Sequence, residues 1–114
     1  MIIKTLNIKE DMPPADVAVC QLELEIEAYK NSDIGALKVI HGYGSHGKGG
    51  EIKKLLGKKL EEWKKQGKIL DYIKGEQFSS LAINKHNIAV KYPQLLLDSD
   101  LKNYNNGITV LLLK

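Results

Sequence analysis

Residues 41–50 contain five glycines and separate a short apolar segment from a long amphipathic one. The short segment, residues 37–40, is typical of a buried strand, and it stops where the glycines begin. The long segment repeats apolar residues at helical spacing from Ile52 to Trp63, while lysines and glutamates cover its other sides. A strand that passes through a glycine-rich turn into a helix belongs to the alternation from which α/β folds are built.

Three further segments have the composition of strands. Residues 5–9 alternate between apolar and polar side chains, and the prolines that follow them end the pattern. Residues 69–74 form the next predicted strand, and residues 108–113, which follow a cluster of turn residues, form the last one. The sequence therefore predicts four strands.

Residues 15–30 favour a helix, although part of the segment alternates with period two. Ala18, Leu22 and Ile26 share one helical face, and sixteen residues exceed the length of a typical strand. Residues 79–103 are less regular, with a helical pattern that ends at Tyr92. The predicted order is β-α-β-α-β-(variable)-β. It indicates one compact two-layer or sandwich domain over residues 1–114, with helices packed on a small mixed sheet.

Composition excludes several classes of protein. No apolar run approaches the ~20 residues that cross a bilayer, and the N-terminus lacks a signal-peptide pattern, so we expect a cytoplasmic protein without a membrane partner. The single cysteine, Cys20, cannot form an internal disulfide. Because Cys20 stands among Val19, Leu22 and Leu24, we predict that it is an ordinary core residue.

Positive charge is concentrated directly after the glycines. Residues 48–74 hold nine lysines against four acids, whereas residues 1–47 hold four lysines against seven acids. The lysines could meet an anionic polymer, or they could simply form a solvated helix face. All seventeen basic residues are lysine, which supplies charge without the planar fork that reads guanine. This composition favours contact with a nucleic-acid backbone over reading of base sequence.

The glycine-rich turn has the features of an anion site. Glycines let backbone N–H groups approach an anion closely, and the free amides at a helix start favour phosphate. Lys48, Lys53 and Lys54 add full positive charges near this turn. The predicted nucleic-acid-binding residues are Gly42, Gly44, His46, Gly47, Lys48, Gly49, Lys53 and Lys54.

Two nucleotide-binding motifs match this turn only in part. Gly42, Gly44 and Gly47 have the spacing of the dinucleotide fingerprint, but no acid follows at the end of a later strand. Gly47 and Lys48 fit the P-loop, but Gly49 occupies the position of its Mg²⁺-binding hydroxyl residue. We therefore predict no nucleotide cofactor.

His41 and His46 raise the question of a metal or catalytic role. With one distant cysteine and no third ligand at a recognisable spacing, the sequence predicts no metal site. His41 is the candidate catalytic residue, as a general acid or base, because its ordinary pKa is near neutrality. It would also lie at the carboxyl end of a strand, where open α/β sheets bind ligands.

These motifs together resemble the Smr (small MutS-related) family. The run 39–44, Val-Ile-His-Gly-Tyr-Gly, followed by Ile52-Lys53, is similar to the family's strand, His-Gly-x-Gly and helix start. The turn at 105–107 and the strand after it resemble the family's closing segment, so the likeness spans essentially the whole chain.

The resemblance implies a compact α/β sandwich and a nucleic-acid partner, DNA or RNA, in repair or processing. The family includes proteins that bind and nick DNA or cleave RNA. On this basis His41, Gly42 and Gly44 would form the floor of the site, and Lys53 would replace the family's arginine.

The family's first motif, Leu-Asp-x-His-Gly, is altered here. It corresponds to residues 6–10, so Asn7, Lys9 and Glu10 replace its aspartate, histidine and glycine. Asn7 cannot act as a base, whereas Lys9 could stabilise charge and Glu10 or Asp11 could supply a carboxylate. Nucleic-acid binding is therefore the leading hypothesis, and an endonuclease, with a divalent metal as its cofactor, is the alternative.

A third hypothesis is a non-catalytic protein-interaction module. In that case residues 95–97 and Tyr104 would form an exposed apolar patch. The choice between DNA and RNA, the oligomeric state and any partner protein stay open at this point.

Overall fold

Four strands and five helices follow the predicted order in the computed structural model, which describes residues 1–43 and 48–114 except for the side chains of residues 48 and 49. The elements are β1 (Ile2–Asn7), α1 (Ala15–Tyr29), β2 (Ile34–Ile40), α2 (Lys48–Lys65), β3 (Asp71–Lys74), α3 (Ser80–Lys85), α4 (Ile88–Lys91), α5 (Ser99–Lys102) and β4 (Ile108–Leu112). Two 3₁₀ turns, Gly75–Gln77 and Pro93–Leu97, connect the elements between β3 and α5.

The four strands form one mixed sheet in the order β1-β2-β4-β3. β1 pairs with β2 in parallel, and β4 runs antiparallel to both β2 and β3. The register pairs Asn7 with Ile40, Ile40 with Ile108, and Lys74 with Thr109. The carboxyl ends of β1, β2 and β3 therefore meet the start of β4, and we name this region the carboxyl end of the sheet.

Helices cover both faces of the sheet, so the sandwich predicted from the sequence is confirmed. On one face, apolar residues of α1 and α2 pack against Leu37, Val39 and Leu111. On the other face, the segment between β3 and β4 packs against Ile73 and Val110 with buried residues such as Phe78, Ile88, Tyr92, Leu95 and Leu101. The central strands β2 and β4 are thus covered on both faces, as their largely apolar composition requires, whereas the edge strand β1 is mostly exposed.

The prediction that Cys20 is a core residue is wrong. α1 does form, and it buries Ala18, Leu22 and Ile26, but Cys20 is exposed on another side of the helix. Leu24, which the sequence placed beside it, is also exposed. Apolar residues also lie on the other sides of α1, so apolar neighbours in the sequence did not show that Cys20 lies outside the buried face.

Several element boundaries differ from those expected. β1 covers Ile2–Asn7 instead of residues 5–9, because the chain turns away through Asp11 and Met12, whose φ angles are 62° and 49°. β3 begins at Asp71 and gives way to a 3₁₀ turn at Gly75. The helical pattern over 80–90 divides into α3 and α4, since Asn87 between them adopts a left-handed φ of 53°.

The apolar patch expected over residues 95–97 is only partly exposed. Leu95 is buried in the core, while Leu97 and Tyr104 are exposed. The prediction that Leu95 belongs to an exposed patch is therefore wrong. Of the residues predicted to form the patch, only Leu97 and Tyr104 have largely exposed side chains. None of the helices in the described part of the chain combines the length and the apolar character needed to span a membrane.

Candidate functional site

Three segments that the sequence singled out separately come together at the carboxyl end of the sheet. The Ile8 N–H, just after β1, donates to the Ile40 carbonyl at 3.0 Å. The N–H groups of His41 and Gly42 both donate to the Gly107 carbonyl, at 2.9 and 3.0 Å. The altered first motif, the base of the glycine-rich turn and the turn before β4 are therefore neighbours.

The His41 side chain is 1% exposed and has a partner for each ring nitrogen. Its Nδ1 lies 2.6 Å from the Gly42 carbonyl oxygen, and its Nε2 lies 2.9 Å from Thr109 Oγ1. Because a carbonyl oxygen can only accept, Nδ1 carries the proton, and the Thr109 hydroxyl donates to Nε2. Burial lowers the pKa of His41 below its ordinary value, and the nearby charge of Lys53 acts in the same direction, so the ring is neutral near pH 7.

In this arrangement His41 holds the base of the turn. Its ring links β2 to β4 through Thr109, and its Nδ1–H fixes the Gly42 carbonyl. Gly42 has a φ of 73°, in the left-handed region that glycine adopts without strain, so the chain can turn away from the sheet here. The catalytic role predicted for His41 stays a prediction, and proton transfer to a ligand would require the ring to separate from Thr109.

Protein stability should fall as the pH drops through the range in which unfolded histidines titrate. Burial lowers the pKa of His41 and of His86 in the folded chain, so the unfolded chain binds more protons below about pH 6.5. The stabilisation is complete above that value and is lost as the pH falls below it. Each histidine can contribute at most about 1.4 kcal/mol per pH unit. Urea unfolding between pH 5 and 8 measures this slope.

Two single variants separate the contributions to this slope. The free energy of unfolding of His41→Gln should vary less with pH than that of the native chain, whatever its absolute stability. His86→Gln makes the same exchange at the other histidine, whose Nε2 lies 3.6 Å from Asp71 Oδ2, and it measures the part of the slope that His86 contributes. An unchanged slope in His41→Gln would contradict the assignment of a neutral buried ring.

Lys53 reaches across the carboxyl end of the sheet from the second turn of α2. Its Nζ donates to Glu76 Oε2 and to the Asn106 carbonyl, both at 2.8 Å. Burial alone would raise the pKa of Glu76, but the hydrogen bond and charge of Lys53 outweigh it and lower that pKa. Glu76 is therefore ionised and neutralises part of the charge of Lys53. An anionic ligand would have to compete with this carboxylate.

The turn before β4 is held by a chain of polar side chains that begins at Lys38 in β2. The Asn105 Oδ1 accepts from the Gly107 N–H at 2.8 Å, and the Asn105 Nδ2 lies 3.3 Å from Asp100 Oδ1. Asp100 in turn accepts from Lys38 Nζ at 2.7 Å, and Asp98 lies 2.8 Å from the same ammonium group. This chain of polar contacts runs from β2 to the turn that Lys53, His41 and Gly42 contact.

Sequence reasoning missed Thr109, Glu76 and the pairing of Lys38 with its aspartates. Lys38 did carry a signal, because a lysine inside an apolar strand must find a carboxylate when the strand is buried on both faces. Thr109 belongs to the strand that resembles the family's closing segment, but nothing in that segment marked it as a partner of His41, and Glu76 belongs to no recognisable motif.

α2 begins at Lys48, so the last glycines of the turn lie in its first helical turn. The predicted site residues differ in how much of each the structure describes. Gly42, Lys53 and Lys54 are described fully, and Lys48 and Gly49 are described by their backbone only. Gly44, His46 and Gly47 lie outside the described residues.

The outer surface of α2 is basic. Lys53, Lys59 and Lys64 form ion pairs with carboxylates, whereas Lys54, Lys58 and Lys65 form none with any residue that the structure describes. Lys54, Lys58 and Lys65 are exposed and lie within about 40° of one another around the helix. We name these three residues the lysine stripe.

A groove of about 350 Å³ lies beside the altered first motif. Asn7, Glu10 and Asp11 line it, together with apolar residues near the end of β1 and with Gln21, Leu22 and Glu25 of α1. The Asn7 Oδ1 accepts from the Lys9 N–H at 3.2 Å, so Asn7 stabilises the turn after β1. Within the described residues, no group of three or more histidine, cysteine or carboxylate side chains is placed to hold a metal ion.

Comparison of the chain with family models, curated proteins and solved structures found no match. The resemblance to the Smr family therefore depends on the motifs themselves.

Proposed function

We propose that this chain is a nucleic-acid-binding domain of the Smr type that holds a phosphodiester backbone along α2 and at the carboxyl end of the sheet. The observation that carries the proposal is the lysine stripe, whose side chains are exposed and form no ion pair with any described residue. The stripe extends about 16 Å from Lys54 to Lys65, a length that spans several phosphates of one strand.

The charges of the two long helices favour binding of the nucleic acid along α2 rather than along α1. α2 carries seven lysines and three glutamates, whereas α1 carries four acids and no lysine. An anionic polymer is therefore attracted to α2 and repelled from α1. The absence of arginine supports backbone contact over base reading, so the proposal covers both DNA and RNA. It is compatible with the cytoplasmic location expected from the sequence.

Replacing Lys54 and Lys58 together with alanine should weaken binding to duplex DNA at least tenfold at low salt. Each lost phosphate contact removes about 0.9 from the slope of log affinity against log salt, so the double variant should lose about 1.8. Fluorescence anisotropy over a series of salt concentrations measures both quantities.

The matched control is the double variant Lys59→Ala with Lys64→Ala. It changes the net charge equally, but both of its lysines are paired with carboxylates, at 3.6 and 3.3 Å. We expect a smaller loss of affinity and a smaller change in slope. Equal losses in the two double variants, or binding that does not depend on salt, would contradict the proposal.

Cleavage is the second candidate function, and the groove is the observation that favours it. Glu10 and Asp11 place two carboxylates in the groove that follows the end of β1, near where a phosphodiester bound at the carboxyl end of the sheet would pass. Incubation of the same complexes with Mg²⁺ or Mn²⁺, followed by gels, distinguishes an enzyme from a binder. Nicking that persists in Asp11→Asn and Glu10→Gln would assign the chemistry to other residues.

A further inference from the structure

Tyr43 is an aromatic residue at the candidate site that the sequence motifs did not assign to binding. It follows Gly42, whose left-handed φ of 73° carries the chain away from the sheet, and its side chain is 56% exposed. Large apolar rings are more often buried or covered by a neighbour, and this one lies at the place where ligands bind in open α/β sheets.

The Tyr43 ring is exposed but is also supported by the protein. A Cβ built on Gly107 would lie 3.1 Å from Tyr43 Cδ1 and 3.2 Å from Gly42 Cα, so the ring rests against a position that has no side chain. The backbone before Tyr43 is held, because the His41 and Gly42 N–H groups donate to the Gly107 carbonyl. Part of the ring is therefore covered by the turn, and the remainder faces solvent.

A positive charge also contacts this turn. Lys53 Nζ donates to the carbonyl of Asn106, the residue before Gly107. An aromatic surface and an ammonium group thus lie on neighbouring residues of one turn. Proteins that bind single-stranded nucleic acid combine these two elements, since bases stack on the ring while cations contact the backbone.

We infer that Tyr43 is a stacking platform for an unpaired base, so that the preferred ligand is single-stranded nucleic acid or a strand with a splayed-out base. The inference rests on the proposed backbone-binding function and specifies its substrate class. Bases inside a duplex are already stacked and paired, and only an unpaired base can place its face on the ring.

The test compares three ligands with the native chain, Tyr43→Ala and Tyr43→Phe. The ligands are a dT oligonucleotide of about twelve residues, an abasic strand of the same length, and a blunt duplex. Tyr43→Ala should bind the dT strand roughly 5- to 100-fold more weakly, the usual effect of removing one stacking side chain. Tyr43→Phe should bind it like the native chain, because the ring is retained.

The other ligands separate stacking from charge. Tyr43→Ala should leave abasic-strand affinity, duplex affinity and the salt slope unchanged. If Tyr43→Ala weakens dT and abasic strands equally, or if Tyr43→Phe loses as much as Tyr43→Ala, the stacking role is refuted and backbone binding stands. If the native chain binds none of the three ligands in a salt-dependent way, the proposed function itself fails.

Discussion

Replacing Gly75 with alanine should lower the free energy of unfolding by about 3 kcal/mol or more. A Cβ at this position would lie 1.9 Å from the Asn105 carbonyl oxygen and 2.9 Å from that of Ile108. Both atoms belong to the backbone, so the clash can be relieved only by moving the 3₁₀ turn or the turn before β4. Thermal unfolding followed by circular dichroism should show a midpoint about 10 °C lower or more.

Gly57→Ala is the matched control, because it makes the same exchange within α2 where no atom lies within 4 Å of the added Cβ. Alanine is the better helix former by about 1 kcal/mol, so this variant should be slightly more stable than the native chain. The Gly75 variant should also bind nucleic acid poorly, since the displaced turn carries the Asn106 carbonyl. A Gly75 variant as stable as the native chain would contradict the close approach of the two turns.

Replacing Trp63 with alanine should cost about 3 to 5 kcal/mol of unfolding free energy, the usual range for a buried tryptophan. Trp63 is 1% exposed and packs in the core between α1, α2 and the sheet. Its Nε1–H also donates to Glu23 Oε2 at 3.1 Å, which joins α2 to α1. Urea denaturation with global fitting of the transition measures the loss.

Trp63→Phe separates packing from the hydrogen bond. Glu23 would keep its ion pair with Lys68, so no unpaired carboxylate results, and the loss should be well below that of Trp63→Ala. Equal losses in the two variants would show that the indole hydrogen bond, not the buried volume, dominates.

Much of the fold could be predicted because helical and strand periodicities are local properties. α2 repeats Ile52, Leu56, Leu60 and Trp63 at helical spacing, and all four residues are buried. Its first residue could not be predicted, since glycines disfavour helices, yet residues 49 and 50 belong to the first turn. The C-terminal end was clearer, because Gly67 adopts a φ of 75° just after the helix.

The extent of the face that α1 buries could be predicted only in part from local sequence. Val17, Cys20 and Leu24 are as apolar as the residues that enter the core, yet they are exposed. Which side of a helix faces the sheet depends on how the helix is oriented by its packing partners. The pattern of α1 therefore predicted the helix and the buried face of Ala18, Leu22 and Ile26, but not that Cys20 lies outside that face.

The sequence by itself determined the order of strands and helices and the position of the glycine-rich turn between β2 and α2, because both follow from residues close together in the chain. Only the tertiary structure decided what surrounds that turn. His41 meets Thr109, 68 residues away, and Lys53 meets Glu76 and Asn106, 23 and 53 residues away. Such contacts arise when the sheet brings distant strand ends together, and no local periodicity encodes which side chains meet there.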